Sequence, residues 1–200
     1  MDRITSIFPT AYFPSIDYLN VFFEQSNSVI EIQESFPKQT IRNRCEILTS
    51  NGIHRLSVPV TKINGSKTLT KDIGIDYSKK WQNEHWRAIQ SAYASSPYFE
   101  DYGFRVKEII YNCPESLTKL NLVILKFIFE ILDLNPEINL SEKYKIDYDL
   151  DFRNTDFMIR QPIDNYQQVF SYDKEFTSNL SFLDLLFNEG PFMRKWILKK

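Results

Sequence analysis

Cysteine is scarce in this 200-residue chain: Cys45 and Cys113 lie far apart and outside any Cys-x-x-Cys or Cys/His spacing. That excludes a disulfide framework and a thiolate zinc site, and it suits a reducing cytoplasm. Glycine is scarce too. None of the five glycines falls in a Gly-x-Gly-x-x-Gly or Walker pattern, so no such loop cradles a phosphate. Charge of one sign is missing: 24 Lys and Arg face 26 Asp and Glu, a net −2 with histidine neutral. So small a balance offers little counterion-release energy, which argues against nucleic acid as a partner. Long apolar runs are absent as well. The longest aliphatic run is Leu122-Val123-Ile124-Leu125 and the first residues, Met1-Asp2-Arg3-Ile4-Thr5-Ser6, form no signal core, so neither export nor a membrane span is expected. With two histidines and no ligand cluster, no metal is expected, and the residues leave a cofactor open.

Aromatic residues are plentiful, at sixteen Phe, eleven Tyr and three Trp. Such rings either fill a core or stack on a ligand. A chain of this length buries roughly 70% of its unfolded surface. It reads as one domain over 1–200, with room for a smaller lobe at 136–200, where the chain turns more polar and tyrosine-rich.

A strand near 4–8, a helix over 15–25 capped by Ser15, and a strand over 29–34 are compatible with a βαβ unit. Asn51-Gly52 between two alternating segments predicts a hairpin with a type I′ turn, pairing Ser50 with Ile53, Leu48 with Arg55, Glu46 with Ser57 and Arg44 with Pro59. One face then carries Ile41, Cys45, Ile47, Leu56, Val58 and Val60, with Thr49 and His54 near the turn. The other carries Arg42, Arg44, Glu46, Arg55 and Ser57. A strand near 71–75 follows. Helices are expected over 81–95, with Trp81, His85, Ala88, Ile89 and Ala92 on one stripe, over 104–111, and over 117–132, which is apolar on both sides. A strand at 137–140 and an amphipathic helix at 181–187, ended by Gly190-Pro191, complete the reading. The fold class is α+β, a mixed or mostly antiparallel sheet with a central hairpin, covered by several helices.

The order and spacing of several strings resemble the WbqC-like protein family. They are Ala11-Tyr12-Phe13-Pro14 with Tyr18, Arg42-Asn43-Arg44-Cys45-Glu46-Ile47 leading to Asn51-Gly52, and Leu56-Ser57-Val58-Pro59-Val60. Further along come Trp81, His85-Trp86-Arg87-Ala88-Ile89, Tyr93, Ser96-Pro97-Tyr98-Phe99 and Asp151-Phe152-Arg153. Gln168-Val169-Phe170 and the run from Asn179 to Pro191 extend the resemblance over nearly the whole chain. It implies a bacterial protein of O-antigen or other surface-polysaccharide biosynthesis, and it transfers no catalytic residue.

Two functional readings stay open. In the first, the chain is a transferase acting on a nucleotide sugar. Arg42, Arg44 and Arg55 hold the diphosphate, since guanidinium forks match its oxygens. His85 is the general base, as histidine titrates nearest working pH. Trp81, Trp86 and Tyr93, with Tyr98 and Phe99, form a stacking wall for sugar or nucleobase. In the second, the chain is a non-catalytic binding or assembly protein that meets a glycan-biosynthesis enzyme. Each residue also has a plain reading: a solvated, Glu46-balanced strand face for the arginines, a satisfied core position for His85, and core packing for the rings. Cys45 reads as a small buried hydrophobe. Asp151, Arg153 and Asp156 either reach substrate hydroxyls or are solvated, and a buried Asp184 would need a partner such as Asn179 or an arginine.

Overall fold

The computed structural model describes residues 4–112, 114–159, 164–170 and 175–198, so Cys113 lies outside the described residues. The chain opens with β1 (Ser6–Pro9), α1 (Ile16–Glu24) and β2 (Ser28–Glu31). Ser15 caps α1 by accepting from the Tyr18 amide, which fixes where the helix starts. β1 and β2 pair in parallel, as a βαβ unit requires.

The hairpin of β3 (Arg44–Thr49) and β4 (Gly52–Ser57) follows, then β5 (Val60–Thr61), two 3-10 turns, and β6 (Gly74–Ile75), which pairs antiparallel with β5. Three helices come next: α2 (Trp81–Tyr93), α3 (Phe99–Tyr111) and α4 (Leu117–Ile131). β7 (Asn139–Leu140) and β8 (Leu150–Asp151) are two residues each, and α5 (Phe182–Glu189) and α6 (Arg194–Ile197) close the fold.

The architecture is α+β, but its largest sheet is not antiparallel. Four strands lie in the order β7-β2-β1-β8, every neighbouring pair parallel, and the hairpin forms a separate two-stranded sheet. The cause lies in β1, whose four residues are all buried, as parallel strands covered on both faces are. Taken in chain order the four strands stand 3-2-1-4, the order that opens a doubly wound sheet. The chain therefore reverses its direction of winding between β1 and β8.

The hairpin register also departs from expectation. Arg44 faces Ser57, Cys45 faces Leu56, Glu46 faces Arg55 and Thr49 faces Gly52, so Ser50 and Asn51 make the turn. Asn51 does not take the positive φ that a type I′ turn demands. Gly52 alone does, at +103°, as in a turn followed by a glycine bulge. The slip is two residues, so side chains keep their faces. Cys45, Ile47, Leu56 and Val58 pack inward, whereas Arg44 and Glu46 are half-buried and Arg55 is exposed.

The C-terminal segment stitches these parts together. The Ile16 amide donates to the Leu180 carbonyl, the Phe182 amide to Pro14 and the Ser181 amide to Glu46. No helix among the described residues is long and apolar enough to cross a membrane.

Candidate functional site

Two acids at the carboxyl end of β2 organise the site. Glu31, the last strand residue, is fully buried, and Glu34 lies three residues beyond it. A buried carboxylate needs a partner, and each acid has an arginine. Arg42 forms a fork on Glu34, Nε to Oε1 at 2.5 Å and Nη2 to Oε2 at 2.9 Å. Arg153, two residues past β8, reaches Glu31 at 3.0 Å and grips Asp151 through Nε and Nη2. Tyr144 and Tyr148 stand against its guanidinium, 4.6 and 5.7 Å from their ring centroids. Arg42 also donates to the Arg153 carbonyl at 3.0 Å, which joins the two pairs into one network.

The electrostatics follow from burial and pairing. Desolvation pushes the Glu34 carboxyl up, against the pull of Arg42. Hydrogen bonds from Arg153 hold Asp151 below the usual carboxylate range, and the same contact raises Arg153 further above its ordinary value.

Over this network lies a cleft of about 320 Å³. Its walls are the loop after β2, from Pro37 to Arg42, the loop after β8, from Arg153 to Met158, and Arg55 of the hairpin. Gln39 on the rim holds a left-handed conformation, φ +63°, a strained state for a residue with a side chain. The cleft thus sits outside the carboxyl ends of parallel strands, next to the switch point, where open α/β sheets bind ligands. Its lining is mixed: Gln39, Thr40, Asn154, Thr155 and Asp156 offer amides, hydroxyls and one carboxylate, beside apolar surface from Pro37, Ile41 and Met158.

The structure brings only some of the sequence-predicted residues here. Arg42 and Arg55 line the cleft; Arg44 lies beside it, in the wall of a small adjoining void. Arg42 is buried and its charge is spent on Glu34. Arg55, half exposed, rests on Glu46 at 2.7 Å.

His85 is elsewhere. Buried on α2, it shares a hydrogen bond with the Tyr12 hydroxyl through Nδ1 at 2.8 Å, and burial holds its pKa down to about 4. Its link to the cleft is indirect, because the Tyr12 amide donates to the carbonyl of Ile41, a lining residue. Trp81 is buried with its ring edge-on to His85, 5.1 Å away. Tyr93 is buried too, donating to Asp184 at 2.9 Å and accepting from the Leu48 amide. Trp86 stacks on Phe99 at the α2–α3 contact. None of these three rings lines the cleft.

Burial pushes the Cys45 thiol up, leaving it a core residue. Among the described residues Asp184 pairs with neither Asn179 nor an arginine. Its partners are Tyr93, Tyr166 at 2.6 Å and the Gln168 amide at 2.9 Å. The acids that build the site, Glu31 and Glu34, escape sequence reasoning, because their arginines arrive 122 and 8 residues later. Among the described residues no group of three or more His, Cys, Asp or Glu side chains could hold a metal ion.

Fold and site together define an α+β protein with an open parallel sheet and an arginine-floored cleft at the sheet's carboxyl edge. The model of the WbqC-like protein family matches residues 10–160, and the chain belongs to that family. Every residue lining the cleft falls within the match. No curated protein and no solved structure matches the chain.

Proposed function

We propose that this protein binds a nucleotide-linked sugar of surface-polysaccharide biosynthesis in the cleft between the β2 and β8 loops. The observation that carries the reading is the cleft's place and lining. It lies at the carboxyl edge beside the switch point, with planar amides and hydroxyls for sugar hydroxyls and the half-exposed Arg55 for phosphate oxygens. Arg42 and Arg153 act as its floor, since they are buried with their charges matched by Glu34, Glu31 and Asp151, whereas Arg55, though paired with Glu46, keeps donors exposed. His85 positions Tyr12 and, through it, the Ile41 backbone, rather than moving a proton on the ligand.

Thermal-shift and calorimetric measurements with a panel of nucleotide-linked sugars test this. At least one member is expected to bind, and Asn154→Ala combined with Arg55→Ala is expected to abolish that binding. If no member binds, or the double variant binds as wild type does, the cleft is not the site.

Asp156 supports a second reading, group transfer to a sugar hydroxyl or amine. It is the one carboxylate lining the cleft, and it has no cationic partner among the described residues. Such a group can act as general base. Asp156→Asn would then leave binding intact and eliminate the mass change in the sugar nucleotide. Unaltered turnover in that variant removes Asp156 from the chemistry.

A further inference from the structure

We infer that Arg44 anchors the second phosphate of a diphosphate-linked ligand, reached when Met158 swings away from the wall between Arg44 and the cleft. This rests on the binding reading above and specifies its substrate class. Among the described residues, three of the four arginines around the site carry carboxylates: Arg42 on Glu34, Arg55 on Glu46, Arg153 on Glu31 and Asp151. Arg44 carries none among the described residues, and its Nε is buried without a hydrogen-bond partner. An unmatched guanidinium donor held away from water is unfavourable unless something arrives to accept from it.

Geometry says where that acceptor comes from. Arg44 opens β3 opposite Ser57, and Arg55 stands opposite Glu46, so the two arginines occupy one face as a diagonal pair, roughly 7–8 Å apart at the backbone. Long guanidinium side chains on such a pair converge on neighbouring phosphates, each as a bidentate fork. Arg44 lines a void of about 10 Å³, and two of its wall residues, Ile41 and Met158, also wall the cleft. Ile41 is buried and β-branched, hence stiff. Met158 is half-buried and unbranched, so it is the part of the partition that can move. A free sugar, satisfied by the amides and hydroxyls of the loops, has no need of Arg44. A nucleoside diphosphate sugar does.

Calorimetry on the full chain with UDP-glucose, UDP and glucose separates these cases. Arg44→Gln is expected to weaken UDP-glucose and UDP at least tenfold, with Arg44→Lys between it and wild type. Met158→Phe, which thickens the partition, is expected to reproduce the Arg44→Gln loss and to add nothing to it in the double variant. Since Arg44 holds no ion pair among the described residues, Arg44→Gln is expected to melt where wild type does. Should it unfold instead, Arg44→Lys and Met158→Phe carry the test. If Arg55→Gln loses UDP-glucose while the Arg44 and Met158 variants bind as wild type does, the Arg44 assignment fails and the cleft stands. If the wild-type chain binds neither UDP-glucose nor UDP, the diphosphate class fails with it, and a cleft reading survives only if another member of the panel binds.

Discussion

His85 shows how a single side chain can be decided by its surroundings. The imidazole is buried against Tyr12 and Trp81, and its pKa is held down to about 4, chiefly by desolvation. In the unfolded chain it titrates near 6.5. Above that pH both states hold the ring neutral and no stability depends on it. As pH falls from 6.5 toward 4, the unfolded chain takes up a proton that the folded chain refuses, so stability is lost with acidification, by about 3 kcal/mol in all. Urea denaturation of wild type and His85→Gln at pH 7 and pH 4.5 checks this: wild type should lose more stability between the two pH values than the variant does. Equal losses would mean that the ring titrates normally in the folded protein.

At the scale of elements, α5 depends on its terminator. Gly190 caps it at φ +55°, and a Cβ there would run into the Tyr98 ring. Both the backbone strain and the collision oppose a side chain, so Gly190→Ala is expected to cost about 1–3 kcal/mol, read as a lower urea midpoint with an unchanged slope. How far the elements are legible in the sequence follows from length and parity. β1, α1 and β2 announce themselves by apolar runs and the Ser15 cap, and α4 by apolar residues on both sides. β7 falls inside the strand expected at 137–140, but β8 is not announced, because two residues carry no period, and without it the order of the parallel sheet stays hidden. The hairpin's faces are legible and its register is not, since a two-residue slip keeps every side chain on its own face. Of the site, Arg55 is visible as an outward-facing strand residue. The Glu34–Arg42 and Glu31–Arg153 pairs are not, because nothing local in a sequence reports which acid a buried arginine will meet.

Across the whole molecule, parts distant in sequence are joined directly. Ser6 pairs with Leu150, and Phe182 packs against Phe13 and Phe127. The Ser181 amide caps the Glu46 carbonyl on the hairpin. The family match ends at residue 160, ahead of the buried helix α5. A fragment of residues 1–160 would therefore keep every cleft residue yet expose the surface that α5 covers. It is expected to lack the cooperative thermal transition and near-ultraviolet dichroism of the full chain. A sharp transition in the fragment would show that the C-terminal helices are dispensable for packing.

The Glu31–Arg153 pair has a consequence for the chain while it is being made. During vectorial synthesis Glu31 emerges 122 residues ahead of the cation that neutralises it. At roughly 5–20 residues per second that interval is on the order of ten seconds. For that time a nascent chain has every reason to keep β2's acidic end hydrated, and this edge of the sheet closes only when its far-sequence arginine leaves the ribosome.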